Sequence, residues 1–176
     1  MKKLIALVLV LVMAMSMVAC GGKNAAADKA PLEGTMEENA MKVMEIAPVE
    51  FMGGIIPVDL TDTSEDGKWA VNYFTGLSDG SKITDVAVYE SMMGSQAFSL
   101  VMVRTAEGAD PKAVAEEMKS GIDPRKWICV GADEIMAAGY GDTVMFIMLD
   151  SQLGLSAQSY VDAFAQVTGG ELDFTI

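Results

Sequence analysis

The 176-residue chain contains no histidine. That absence excludes Ser-His-Asp and Cys-His catalysis, imidazole zinc sites and ordinary imidazole proton shuttles. Two cysteines, Cys20 and Cys129, are too few for a disulfide framework. Basic residues are scarce: 12 lysines and arginines stand against 25 acids, a net charge of −13 at pH 7. So acidic a chain is repelled by phosphate backbones and anionic headgroups, which removes nucleic acid from the expected partners. Neither a Walker-type glycine loop nor a dinucleotide fingerprint is present, and the acids are scattered with no pair singled out by spacing. The chain is therefore expected to be no enzyme and to need no cofactor.

Long hydrophobic runs are also missing, with one exception. Residues 4 to 15 are almost wholly apolar, follow Lys2 and Lys3, and lead through small residues to Met17-Val18-Ala19-Cys20. This is the pattern of a signal peptide, and the run is short for a bilayer span of about 20 residues. Val18-Ala19 before the cysteine and Gly21-Gly22 after it resemble the lipobox of lipoproteins processed by the lipoprotein-specific signal peptidase, with Met17 where leucine is usual. The resemblance implies a diacylglyceryl group on the Cys20 thiol, cleavage between Ala19 and Cys20, and a lipid-anchored place on the extracytoplasmic face of the cell membrane. Two or more acyl chains anchor stably where one is marginal. Losing residues 1–19 would leave 10 basic residues against 25 acidic ones, a net of −15. Residues 20–31, small and polar with Ala25-Ala26-Ala27, read as a flexible tether, and 32–176 as a single domain.

Within that domain Thr35 and Glu38 form a capping-box pattern opening a helix from Met36 to about Ala47, with Ala40, Val43, Met44 and Ala47 on its buried face. Gly53-Gly54 and Pro57 predict an irregular crossing between Phe51 and Thr61. Ser64-Glu65-Asp66 starts a short helix expected to carry Trp69 and Tyr73 inward. The period then changes from about 3.6 to 2: strands over 83–90 and 97–104 join through Gly94 in a hairpin. Phe98, Leu100 and Met102 point to one face, Val101 and Val103 to the other, so both faces are at least partly covered. Asp110-Pro111 caps a helix with a buried stripe of Val114, Ala115, Met118 and Ile122. A second hairpin over 132–138 and 143–149 and a helix capped by Ser156 and stopped at Gly169-Gly170 repeat the unit at similar pitch. Leu172, Phe174 and Ile176 alternate as a further edge strand. The fold class is α+β: an antiparallel sheet from two β-β-α units, helices packed mainly on one face, preceded by an N-terminal helix.

The order of lipobox, tether, capped helix, aromatic-bearing segment, hairpin and helix, with Gly141-Asp142-Thr143-Val144-Met145-Phe146-Ile147 leading the last strand, is similar to that of a family of small uncharacterised lipoproteins of low-GC Gram-positive bacteria. The resemblance implies a membrane-anchored extracytoplasmic module and assigns no site residues.

Three segments are candidates for chemistry. Asp62-Thr63-Ser64-Glu65-Asp66-Gly67 matches the first half of a calcium loop, but Tyr73 stands where a bidentate glutamate is needed, so a solvated turn or helix cap is the better account. Eleven methionines follow residue 20; adjacent Met92-Met93 and the helical Met41 and Met44 are conceivable Cu(I) thioethers, while adaptable apolar packing explains them more economically. Asp123-Pro124-Arg125-Lys126-Trp127 brings bases and an aromatic into an acidic chain and is weighed as an anion or sugar grip, against a plain connection with Trp127 in the core. Cys129, in an apolar segment, is expected to be a buried small hydrophobe. The expected function is that of a non-catalytic binding or protein-interaction module whose partner is an envelope protein. The alternative is a small-ligand or metal carrier.

Overall fold

Thr35 and Glu38 close the expected capping box: Glu38 N donates to Thr35 Oγ1 at 3.1 Å, and Thr35 N donates to Glu38 Oε2 at 2.9 Å. The computed structural model to which these contacts belong describes residues 29–176; the expected signal peptide, Cys20 and the tether up to residue 28 lie outside the described residues. Helix α1 (Met36–Ile46) follows the cap and buries Ala40, Val43 and Met44. Its first free backbone donor, Met36 N, is taken by Asp85 Oδ2 at 2.8 Å, which ties the helix start to the sheet.

The remaining elements are β1 (Gly53–Ile56), α2 (Glu65–Thr75), β2 (Ile83–Ser91), β3 (Phe98–Thr105), α3 (Pro111–Gly121), β4 (Glu134–Tyr140), β5 (Thr143–Leu149), α4 (Ala157–Thr168) and β6 (Phe174–Thr175). They form one six-stranded sheet in the order β1-β2-β3-β5-β4-β6, antiparallel at every pairing. The α+β class, the antiparallel sheet, both hairpins and the C-terminal edge strand are as the sequence predicts. Asp110, Ser156 and Ser64 act as the helix caps read from the sequence.

Two local expectations are corrected. The segment 51–61 is not wholly irregular, since Gly53–Ile56 pairs with β2. Glycines survive there because an edge strand satisfies only one ladder, and Pro57 falls just past the last paired residue. Trp69 points outward, 60% exposed, while Tyr73 is half-buried. The inward face of α2 is set by Gly67, Val71 and Thr75, and a residue two positions away lies about 200° round the helix.

The sheet carries a core on each face. Phe98, Leu100, Met102, Met145, Ile147 and Leu149 pack against α1 and α4, with Phe98 at the centre of rings from Phe51, Tyr89 and Tyr160. Val101, Val103, Val144, Phe146 and Met148 pack against α2 and α3. The α-helices of the described residues thus divide two and two between the faces rather than gathering mainly on one. Chain direction explains the division. The crossovers β3 to β4 over α3 and β5 to β6 over α4 each skip one strand and travel the same way across the sheet. Strands β3 and β5 run in opposite directions, so crossovers of one hand must place α3 and α4 on opposite faces. A duplicated β-β-α unit related by an axis through the sheet would leave both helices on one face, so the similar pitch in sequence marks no structural repeat.

On the α2/α3 face the two helix ends meet backbone to backbone. Gly76 closes α2 with φ +76°, and a Cβ there would fall 2.4 Å from Met118 O.

Candidate functional site

The calcium-like run is used up in local structure. Asp62 Oδ1 accepts from Ser64 N at 2.9 Å, Ser64 Oγ accepts from Gly67 N at 3.2 Å, and the turn thereby caps α2. Hydrogen bonding from Ser64 holds the Asp62 carboxyl below its ordinary range. Among the described residues, no group of three or more Cys, Asp or Glu side chains gathers as metal ligands do. Met44 belongs to the core under α1 and Met41 is exposed, so the pair does not converge on one site.

In the segment 123–127 the bases part company. Arg125 is exposed, with its backbone N donating to Asp123 Oδ1 at 2.8 Å. Lys126 turns inward and its side chain is 1% exposed, with Nζ 2.5 Å from Glu90 Oε1. Three rings surround the ammonium, Tyr73, Phe74 and Trp127, at 5.0, 5.3 and 5.4 Å from their centroids. Tyr73 also donates its hydroxyl to Lys126 O at 3.3 Å. Burial pushes the Lys126 pKa down, against the pull of the Glu90 carboxylate. The segment is the connection between α3 and β4, with Trp127 partly buried against the core. The cation weighed as an anion grip is spent on Glu90.

Past that lock the chain emerges. Ile128 is 89% exposed, and Cys129 is an exposed free cysteine rather than a buried one. The apolar run 127–130 misled because beyond Trp127 it lies in a loop outside both cores, where hydrophobicity does not fix burial. Ile128 rests against Gly94 in the β2–β3 hairpin, beside exposed Met92 and Met93. Met92 N donates to Met52 O at 3.0 Å, which brings exposed Met52 alongside. Trp69 stacks on Tyr73 at 4.8 Å, and the Tyr73 hydroxyl bonds to the loop that carries Ile128. These exposed apolar side chains are gathered at the end of the sheet where β2 turns into β3. Exposed apolar residues standing singly are ordinary, whereas a contiguous group marks an interaction surface.

The opposite end of the sheet receives the start of the described chain. The Lys29 ammonium lies 2.7 Å from Asp173 and 4.9 Å from the Tyr140 ring, beside the turn at Gly141. Lys29, within the expected tether, is thus already held against the domain. Arg104 stands here too: Nη1 donates to both Asp142 carboxylate oxygens at 3.3 and 3.1 Å, and Nη2 to the carbonyls of Leu32 and Gly34 at 2.8 and 2.9 Å. A cleft of about 660 Å³ opens beside it, lined also by Thr84, Glu107 and Asp110. The two ends are bounded by the pairs Phe98–Leu149 and Arg104–Thr143, six residues apart along β3 and so roughly 20 Å.

Sequence reasoning named Met92 and Met93 as candidate thioethers and Trp127 as a candidate ring, and it passed over Met52, Trp69 and Ile128 as a surface. The available signal was large apolar residues beside glycines in turn segments. In comparisons with protein-family models, curated proteins and solved structures, no match was found. No helix among the described residues is long and apolar enough to cross a membrane.

Proposed function

We propose that this chain is a lipid-anchored extracytoplasmic lipoprotein, attached through Cys20, whose domain is a non-catalytic module that presents an apolar surface to another envelope protein. The observation that carries the reading is the opposition of two poles. Lys29 is fastened at one end of the sheet, and Met52, Met92, Met93 and Ile128 are exposed at the other. Lys29 lies nine positions after Cys20, a reach of at most about 30 Å. A domain held by its Lys29 end turns the apolar pole away from the membrane, toward partners rather than lipid. Its acidity keeps it standing off an anionic bilayer.

Two measurements test this. Cys20→Ala is expected to release the protein from the membrane fraction; equal membrane retention with and without the thiol overturns the anchor. A photo-crosslinking residue at Met92 or Ile128, read in intact cells, is expected to trap a protein partner that the same residue at exposed Glu107 does not. Equal trapping from both poles, or none from the apolar one, overturns the module.

The cleft beside Arg104 favours a second reading, a small-ligand carrier, since its volume lies in the range of ligand pockets. A thermal-shift screen with metals, sugars, wall fragments and amino acids tests it. A ligand at 100 times its Kd adds about 2.7 kcal/mol, a visible shift.

A further inference from the structure

Among the described residues, strand β1 ends the sheet on its side and pairs only with β2. The bond from Met92 N to Met52 O fixes which of its groups face inward. Bonded pairs alternate along an antiparallel ladder, so Gly54 and Ile56 bond to Glu90 and Val88, and the N–H and C=O of Gly53 and Ile55 point away from the sheet. Among the described residues no group takes up these outward donors and acceptors. Natural edges are commonly guarded by brevity, a lysine, a proline or a bulge; β1 is four residues long and is closed by Pro57, while Gly53–Ile56 itself holds no lysine, proline or bulge. The space over Gly54 is open, with no atom within 4 Å of where a Cβ would stand.

Charge and position say what fits this edge. Residues 42–68 around it hold six acids (Glu45, Glu50, Asp59, Asp62, Glu65 and Asp66) against two lysines at the ends, Lys42 and Lys68, of which Lys68 pairs with Glu65. Met52 leads from the edge straight into the apolar pole. A second copy of this chain would bring two such acidic stretches together, which like-charge repulsion disfavours.

We propose that the outer edge of β1 receives an extended, cationic segment of the partner protein, with alternating apolar residues, as an added strand; this rests on the reading of the domain as a displayed interaction module. Gly53 and Ile55 offer two donors and two acceptors for main-chain pairing. Met52 and Ile56, an even number of positions apart and so on one face of the strand, offer apolar contact to alternate side chains, and the flanking acids select the cation.

The test uses the full-length chain in neutral-detergent micelles and two fluorescein-labelled peptides, alternating valine with lysine or valine with glutamate. Anisotropy is expected to show the lysine peptide binding at least about tenfold more tightly, about 1.4 kcal/mol, with the preference shrinking in salt. Ile55→Pro removes an outward donor without breaking a bond to β2. Gly54→Lys places a guarding cation over the open space. Each is expected to weaken the lysine peptide at least about tenfold, with near-ultraviolet circular dichroism unchanged. Should Ile55→Pro disturb that spectrum, Gly54→Lys decides alone. Undiminished binding by Gly54→Lys, equal binding of the two peptides, or no binding overturns the proposal. Light scattering that shows a dimer lost in Gly54→Lys overturns it in favour of a second copy. Crosslinks from Met92 in cells that survive Gly54→Lys reject the edge while leaving the module in place, whereas native protein that yields no crosslink rejects the module itself.

Discussion

Replacing Lys126 by methionine strands the Glu90 carboxylate against three aromatic rings and the end of the sheet. Glu90 is 10% exposed on its side chain and Lys126 1%, so solvent does little to screen their pairing or to rescue a survivor. Removing one partner of such a pair costs about 3–5 kcal/mol, because an uncompensated charge stays buried. For a domain of this size that is a fall in Tm of roughly 6–20 °C. The converse perturbation differs in kind: Glu90→Met with Lys126→Met removes both charges, keeps apolar volume beside Tyr73, Phe74 and Trp127, and is expected to be nearly neutral or stabilising. Urea unfolding of a soluble form spanning 29–176, taken through the full double-mutant cycle at pH 7, measures the coupling directly. A coupling of at least about 2 kcal/mol is expected. A Lys126→Met protein as stable as its parent, or a coupling within about 0.5 kcal/mol of zero, would refute the claim that this pair locks the loop 123–130 to the sheet.

Two further predictions concern stability. Gly76→Ala forces a side chain into the left-handed region at φ +76° and against Met118 O, whereas Gly169→Ala meets only the first problem, at φ +92° with open space around it. The conformational cost alone is about 1–2 kcal/mol, so Gly169→Ala should lose about that much and Gly76→Ala clearly more; equal urea midpoints would contradict the close contact of α2 with α3. Acid should also weaken the fold. Hydrogen bonds from Thr61, Ser64, Ser81 and Ser151 hold Asp59, Asp62, Asp79 and Asp133 below the ordinary carboxylate range, and Lys82 with Ser78 does the same for Glu117. Folded pKa values depressed in this way contribute stability that is complete above the unfolded values of about 4 and is lost as pH falls through the folded ones. The urea midpoint is expected to drop steadily below pH 5, and a midpoint unchanged down to pH 3 would show that these bonds add nothing.

What could be read from the sequence was local in origin. Thr35 with Glu38, Asp110 with Pro111, and Ser156 each fix a helix start by hydrogen bonds within a few residues, so composition at those positions suffices. Alternation in Phe98–Thr105 placed each side chain on the correct face, because the period of a strand is set by its own backbone. Even the covering of both faces was legible in that strand. The distribution of helices was not, since it depends on the relative directions of β3 and β5 and on the hand of the crossovers that leave them. Nor was the fate of single residues in loops. Lys126 became buried because Glu90, 36 residues earlier, waits beside it, while Ile128 and Cys129 stayed in solvent because no described element packs over them. The apolar pole, the attachment of Lys29 at the far end and the open edge of β1 follow the same rule. Sequence alone determined helix starts, strand periods and an acidic, histidine-free chemistry, because these need only neighbours along the chain. Tertiary structure decided which surfaces remain uncovered, because exposure depends on what every distant segment leaves behind.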